Sequence, residues 1–167
     1  MQKIFTFAAL ITATLFAVPA WAVDHQVQML NKDSEGRSMQ FEPAFLKIAP
    51  GDTVTFIATS KSHNSESILT LMPDGTEPWK GKINEEITVT FDQEGFYAYK
   101  CQPHLGMGMV GLIQVGDNPE ALPTDEVEKL PGRAKTRMVE LIAEAEAHDD
   151  VEANFEAESA AEPVPAQ

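Results

Sequence analysis

The chain has 167 residues, and its 26 acidic residues outnumber its 12 basic ones, for a formal net charge of −14 at pH 7. This length suits one globular domain with a real core and is short for a multidomain enzyme. Nucleic acid is not expected as a partner, because its phosphates require a basic surface. The single cysteine, Cys101, excludes an intramolecular disulfide, so its thiol packs, reacts or binds a metal.

The first 22 residues have the pattern of a secretory signal peptide. Lys3 supplies the positive charge, an apolar stretch runs from Ile4 to Ala17, and Ala20-Trp21-Ala22 has the small-x-small form of a cleavage site. The apolar stretch of about 15 residues is shorter than the ~20 that span a bilayer. We expect export, cleavage after Ala22 and no membrane association afterwards. A lone thiol in an oxidising compartment needs protection, which a bound metal would provide.

From Val23 to about Gly116, short alternating apolar runs separated by turn residues predict strands. The six predicted strands are His25–Leu30, Ala44–Ile48, Thr53–Ala58, Glu86–Phe91, Gly95–Lys100 and Gly108–Val115. No helical pattern lies between them, which favours an antiparallel sandwich or barrel. The irregular stretch from Lys61 to Lys82 is expected to hold a crossover or a short helix.

The composition changes after Gly116. Residues 119–129 and 133–147 read as two helices separated by Pro131-Gly132, and the second has an apolar stripe that suits packing on the sandwich. Residues 148–167 are rich in Asp, Glu, Ala and Pro and are expected to be disordered. The predicted divisions are therefore a signal peptide at 1–22, a β domain at 23–116, a helical extension at 117–147 and an acidic tail at 148–167.

The segment that carries chemistry is the one after the fifth predicted strand. Cys101 is followed three positions on by His104 and five positions later by Met109, and His63 lies 38 residues upstream of the cysteine. Each residue type alone is more often structural, but together they are the ligand set of a blue copper site, with a weak axial methionine. Zinc more often collects further cysteines or histidines. Pro103 has no N–H to donate toward the cysteine sulfur, which should favour reduced copper.

The stretch from Val27 to Val115 resembles the pseudoazurins, which are small periplasmic blue copper proteins of the cupredoxin fold. The matching pieces are Met29-Leu30-Asn31-Lys32, Phe41-Glu42-Pro43-Ala44, residues 49–56, residues 81–85 and the loop at 103–109. The resemblance implies an all-β, Greek-key sandwich of eight strands with two C-terminal α-helices. It also implies one type 1 copper ion bound by His63, Cys101, His104 and Met109. Plastocyanins share the loop spacing but lack the helical extension.

Residues around the expected ligands complete the predicted site. Asn64 is expected to tie the loop of His63 to the loop of Cys101 and to shield the sulfur. An apolar ring around the outer edge of His104 is predicted from Met39, Pro103, Leu105 and Met107. The resemblance implies a ring of lysines that meets acidic partners, namely Lys32, Lys61, Lys80 and Lys100. The family pattern is broken by Ser65, where an aliphatic residue is expected, and by acidic residues that dilute the basic face, among them Asp33, Glu35, Glu66 and Glu77.

These residues predict a monomeric one-electron carrier that cycles between Cu(II) and Cu(I) and passes electrons through His104. Four protein ligands leave no open position for a substrate, so an enzyme is not expected. The resemblance implies a periplasmic denitrification reductase, such as copper nitrite reductase, as acceptor and a c-type cytochrome as donor. One alternative is a periplasmic copper-delivery protein without a redox partner. Another is a small oxidase subunit, for which the remaining histidines, His25 and His148, supply no second metal cluster.

Overall fold

In this computed structural model, the structure describes residues 22–117 and 119–161. The predicted signal peptide, apart from Ala22, lies outside the described residues, and so does the end of the predicted acidic tail, residues 162–167. In the part of the chain that the structure describes, no helix is long and apolar enough to cross a membrane.

The described chain forms two four-stranded sheets packed face to face, followed by two helices. The strands are β1 (Asp24–Lys32), β2 (Ser38–Glu42), β3 (Phe45–Ile48), β4 (Asp52–Ile57), β5 (Glu66–Ser67), β6 (Ile87–Phe91), β7 (Gly95–Lys100) and β8 (Val110–Val115). The first sheet has the order β2-β1-β4-β6 and the second the order β3-β8-β7-β5. The predicted β-sandwich is thus confirmed.

Two of the strand pairs are parallel, so the expectation of purely antiparallel sheets is wrong. Strand β1 pairs in parallel with β4, where Val27 lies beside Phe56, and β3 pairs in parallel with β8, where Phe45 lies beside Leu112. Parallel neighbours need a long crossover. Here each crossover passes through the opposite sheet, by β3 between β1 and β4 and by β4 and β6 between β3 and β8, so no helix is needed between the paired strands.

All six predicted strands are present with boundaries shifted by up to two residues, and two further strands were missed. Strand β5 has two residues and lies inside the stretch that was interpreted as an irregular crossover. Strand β2 offers one short alternation of apolar residues around Gln40. Both are too short for a period-two pattern to stand out from neighbouring loops.

The main core lies between the sheets and reaches the segment that contains Cys101. Tyr99 is fully buried there, with its ring 4.7 Å from that of Phe41 and 5.0 Å from that of Phe56, in edge-to-face contacts. Gly111 lies opposite Tyr99 on β8, and a Cβ atom at Gly111 would be 2.1 Å from Tyr99 Cζ. The glycine is required because the tyrosine ring fills that space.

The helices α1 (Thr124–Glu128) and α2 (Arg133–Ala161) cover the outer face of the second sheet. The apolar stripe of α2 forms a second core with β8 and other elements, and its buried members are Ala134, Met138, Leu141 and Ala145. Strand β8 is therefore buried on both faces.

Helix α2 continues to Ala161, so the expectation of disorder is wrong for residues 148–161. Alanine and glutamate are strong helix formers, which the acidic composition obscured. Tertiary contacts also hold the helix, because Lys47 Nζ lies 2.9 Å from Asp149 Oδ1 and also contacts Glu152. The first helix is shorter than the predicted range of 119–129.

Candidate metal centre

The predicted ligands converge at one end of the sandwich. His63 lies in the loop between β4 and β5, Cys101 directly follows β7, and His104 lies in a 3-10 helix formed by residues 102–107. Met109 comes just before β8, after Gly108 ends that helix in a left-handed conformation with φ 94°. Strand β5 pairs with β7, and this pairing brings the loop of His63 beside Cys101 despite the 38 residues between them.

The donor atoms of three predicted ligands face one another. Cys101 Sγ lies 3.6 Å from His63 Nδ1 and 3.4 Å from His104 Nδ1, and the three ligand atoms all lie within 4.8 Å of one another. His63, Cys101 and Met109 are fully buried, whereas His104 is partly exposed. Backbone hydrogen bonds join the same residues, since Cys101 N–H donates to Met109 O at 3.0 Å and Met109 N–H donates to His104 O at 3.2 Å.

This donor set fits a copper ion. Two donor atoms at ~2.0–2.3 Å from one ion, and ~120° apart around it, are separated by roughly 3.7 Å. The observed sulfur–nitrogen distances of 3.4 and 3.6 Å are close to that value. One thiolate, two imidazoles and a buried thioether are the soft, trigonal ligand set of type 1 copper.

A hydrogen bond sets the tautomer of His63 that a metal requires. Its Nε2–H donates to Asn31 Oδ1 at 2.9 Å, and the lone pair of Nδ1 is therefore left facing the sulfur. Asn31 belongs to no metal-binding sequence motif and lies 32 residues from His63, so sequence reasoning missed this role. The only signal was its place in the Met29-Leu30-Asn31-Lys32 match to the pseudoazurins.

Comparison with known proteins shows the family. The family model for copper binding proteins of the plastocyanin/azurin family matches residues 27–116. A relative from Rhizobium leguminosarum bv. viciae is 57% identical over 129 residues, which cover 76% of this chain and 84% of that protein. The pseudoazurin of Paracoccus pantotrophus is 49% identical over 131 residues, covering 78% of this chain and 90% of its own length. The chain belongs to the pseudoazurin family.

The solved structures agree with this assignment. A pseudoazurin from Sinorhizobium superposes with a TM-score of 0.67 at 48% identity, covering 73% of this chain and 95% of that one. The fold is accordingly the cupredoxin fold, with copper as the cofactor. As a pseudoazurin, the chain is a blue copper electron carrier.

Burial sets the charge state of the ligand side chains before a metal binds. It raises the pKa of the Cys101 thiol, against which the backbone amides of Asn64 and His104 act. Burial also lowers the pKa of His63, and the nearby His104 lowers it further. Both pKa shifts favour the neutral side chains. The metal therefore binds His63 in the neutral form that is already present, whereas the Cys101 thiol must first release its proton.

Asn64 lies between the two ligand loops of this pseudoazurin. Its Oδ1 accepts a hydrogen bond from Gln102 N–H at 2.8 Å, and its Nδ2 donates to Gly81 O at 3.0 Å. The amide thus links the residue after Cys101 to the residue after His63. Pro103, the other predicted neighbour of the sulfur, is exposed at the start of the 3-10 helix.

A second asparagine, which sequence reasoning missed, holds the backbone on both sides of His63. Asn84 N–H donates to His63 O at 2.8 Å, and Asn84 Oδ1 accepts from Ser62 N–H at 2.6 Å. Both Asn84 and Ser62 have left-handed backbones, with φ of 65° and 76°. Asparagine tolerates that conformation, whereas it strains serine. Such strained residues cluster at functional sites because surrounding contacts enforce them.

Ser65, the predicted departure from the family pattern, takes part in a buried network. Its hydroxyl accepts a hydrogen bond from Trp79 Nε1–H at 2.9 Å. Trp79 stacks on Phe56 with the ring centroids 6.0 Å apart. The serine therefore does not loosen the packing behind His63, because it satisfies a buried indole that an aliphatic side chain would leave unpaired.

The residues predicted to meet a partner differ in their surroundings. Met39 and Leu105 are partly buried, whereas Pro103 and Met107 are exposed. Lys32 and Lys61 are exposed, and neither forms an ion pair with the side chains that the structure describes.

The other two predicted lysines share one carboxylate. Glu66 Oε2 lies 3.3 Å from Lys80 Nζ, and Glu66 Oε1 lies 3.5 Å from Lys100 Nζ. Glu66 therefore offsets part of the positive charge of these two lysines.

Proposed function

We propose that this pseudoazurin is a periplasmic one-electron carrier that binds one copper ion through His63, Cys101, His104 and Met109. It delivers electrons to a denitrification reductase such as copper nitrite reductase. The observation that carries the proposal is the convergence of a thiol and two imidazoles within 4.8 Å, with one of the two histidines, His104, partly exposed. Copper, when bound, supplies the Cu(II)/Cu(I) couple.

The burial of the ligands favours a carrier over an enzyme. His63, Cys101 and Met109 are fully buried, and together with His104 they would supply four ligands to a copper ion, which would leave no position for a substrate. Catalytic metal sites keep such a position. The same burial disfavours the alternative of a copper-delivery protein, because a delivery site has to release its ion to another protein. The chain therefore supports electron transfer without chemistry on a bound molecule.

The surroundings of His104 support it as the point where electrons leave. His104 is partly exposed, and of the apolar residues predicted to ring it, Met39 and Leu105 are partly buried and Met107 is exposed. An apolar contact without strong ion pairs allows brief docking, as electron carriers require. Lys32 and Lys61 add positive charge for an acidic partner, and a c-type cytochrome is the proposed donor.

The test is stopped-flow mixing of the Cu(I) protein with copper nitrite reductase and nitrite, while the blue copper–thiolate band is followed at low and high salt. The proposal expects the blue colour to return at a rate that depends on nitrite and falls with added salt. A protein that never turns blue with Cu(II) would refute the site. If the Cu(II) protein is blue but the Cu(I) protein stays reduced on mixing, copper nitrite reductase is refuted as the acceptor.

Two matched variants separate docking from site integrity. Leu105→Glu places a charge in the apolar surface around His104, whereas Leu69→Glu places the same charge at an exposed leucine of another loop, 68% accessible. We expect Leu105→Glu to slow electron transfer at least tenfold with an unchanged visible band. Equal rates for the two variants would exclude the surface around His104 as the docking face.

A further inference from the structure

A buried carboxylate lies at the first residue of β4, at the opposite end of the strand from the loop of His63. Asp52 is 5% exposed. Its Oδ1 accepts a hydrogen bond from Val23 N–H at 2.8 Å, and its Oδ2 accepts from Ala49 N–H at 3.1 Å and contacts His25 Nε2 at 3.0 Å. Asp52 therefore joins the start of β1 to the start of β4.

The charge of this carboxylate is incompletely balanced in the unprocessed chain. Burial raises the pKa of Asp52, but hydrogen bonds from Val23, His25 and Ala49 outweigh it, so the pKa lies below its usual value and the group is ionised at neutral pH. Two of its three partners are uncharged backbone amides, and His25 carries charge only when protonated. Among the side chains that the structure describes, no lysine or arginine pairs with Asp52. A buried charge without a counter-charge is costly.

The atom nearest to Oδ1 is the nitrogen that the expected processing step would convert into a cation. Cleavage after Ala22, as the signal-peptide pattern predicts, turns the amide nitrogen of Val23 into the α-ammonium group of a new N-terminus. A second hydrogen bond holds Val23 independently of the residues that precede it, because Val23 O accepts from Thr53 N–H at 2.9 Å. The nitrogen is thus held against Asp52 from the β4 side.

We infer that removal of the signal peptide creates a partly buried ion pair, which stabilises the exported fold, between the α-ammonium group of Val23, a residue that is 52% exposed, and the buried carboxylate of Asp52. The inference rests on cleavage after Ala22 and is independent of copper and of any redox partner. It assigns a second role to the processing site, because an amide hydrogen bond becomes a charge-assisted one at the same 2.8 Å contact. A chain cleaved one residue earlier or later would lack this pair.

The test isolates that charge. The full chain is expressed with its own leader, and a second form carries one alanine inserted between Ala22 and Val23. After export, the inserted residue keeps the N–H donor at Val23 but moves the positive charge one residue away, by about 3.8 Å. Mass spectrometry establishes the first residue of each copper-loaded protein, and urea unfolding at pH 7 gives the unfolding equilibrium constants. Asp52→Asn in both forms completes a double-mutant cycle.

We expect the inserted alanine to raise the unfolding equilibrium constant about fivefold when Asp52 is present and to have no effect when it is replaced by asparagine. An equal effect in both backgrounds, or none in either, would overturn the inference. So would an exported chain that begins at another residue.

A second measurement covers the case in which Asp52→Asn does not fold. The α-ammonium group of the protein with the natural sequence is titrated by nitrogen NMR and compared with that of the inserted form. The ion pair predicts a pKa above the ordinary range of about 7.7–8.0 for Val23 and a pKa within it for the inserted alanine. An ordinary pKa at Val23 would overturn the ion pair.

Discussion

The two histidines of the metal centre are held in different ways. His63 is fully buried, its ring is hydrogen-bonded to Asn31 of β1, and its backbone is bonded to Asn84, from a distant loop. His104 is partly exposed, and its backbone bonds stay within its own loop, to Cys101 and Met109. One side of the site is therefore built from long-range contacts and the other from local ones. The long-range side holds a ligand that is fully buried, and the local side holds the ligand that is partly exposed.

Removal of each imidazole gives the largest expected difference between the two sides. We expect both His63→Gly and His104→Gly to lose the blue band. Added imidazole should restore it in His104→Gly, because the space left there opens to solvent. It should not restore it in His63→Gly, because that space lies inside the protein. Visible spectra of the Cu(II) proteins titrated with imidazole provide the measurement.

Rescue of both variants would contradict the comparison, since it would show that the His63 side also opens to solvent. Near-UV circular dichroism of the two apo variants serves as the control for folding. A loss of tertiary signal in His63→Gly alone would assign its failure to unfolding, and His63→Ala, which also leaves the space of the imidazole empty, then replaces it.

The next effect concerns the stability of the metal-free protein as a function of pH. Burial holds the pKa of His63 below the unfolded value of 6.5, so the unfolded state binds more protons between these two values. The free energy of unfolding should therefore be highest above pH 6.5. It should fall as the pH decreases toward the folded pKa, by about 1.4 kcal/mol for each pH unit between the two pKa values. Urea unfolding of the apo protein between about pH 7.5 and 5 measures it.

His63→Gln is the matched variant for this pH profile, and its unfolding free energy should vary less over that interval. Three carboxylates act in a different window. The pKa values of Asp33, Asp52 and Asp149 lie below 3.8, so their stabilisation is lost only at lower pH. An identical pH profile for the variant and the natural protein would rule out His63 as the source.

The difference between the two sides also explains what the sequence could predict. The His104 side is contiguous in sequence, so the spacing of Cys101, His104 and Met109 indicated a copper site without a structure. Asn31 of β1 and Asn84 reach His63 only through the fold, and no sequence pattern distinguishes an asparagine that bonds a distant histidine from any other polar residue of a strand or turn. The helix beyond Ala147 was missed because its acidic composition resembles that of disordered chains, whereas its contacts to Lys47 are non-local.

A smaller effect is expected from the backbone clamp on His63. Asn84→Gly keeps the left-handed conformation but removes the acceptor for Ser62 N–H, which should cost about 1 kcal/mol of stability. Amide exchange at Ser62 in the apo protein should quicken about fivefold, and the visible and electron paramagnetic resonance spectra of the Cu(II) form should change.

Two further variants show whether the clamp is specific. Asn84→Asp restores the acceptor and should return the exchange rate of Ser62 toward that of the natural protein. Thr76→Val removes a comparable side-chain hydrogen bond, to Pro73 O, in another loop and should leave the copper spectra unchanged. Spectral changes of equal size in Thr76→Val and Asn84→Gly would show that the hydrogen bonds of Asn84 have no specific effect on the copper site and only stabilise a loop.

The smallest effect is expected at the lysines that we propose meet a partner, where Glu66 lies 3.3 Å from Lys80 and 3.5 Å from Lys100. Glu66→Gln removes one negative charge and frees both lysines, so electron transfer to an acidic partner should quicken a few-fold at low salt and converge with the natural rate at high salt. Glu77→Gln, which removes a charge at an exposed residue with no ion pair among the described side chains, is the control. Because exposed charges act mainly on association, a larger effect at high salt than at low salt would mean that Glu66 influences the site through β5 and Lys100 instead of through the surface field.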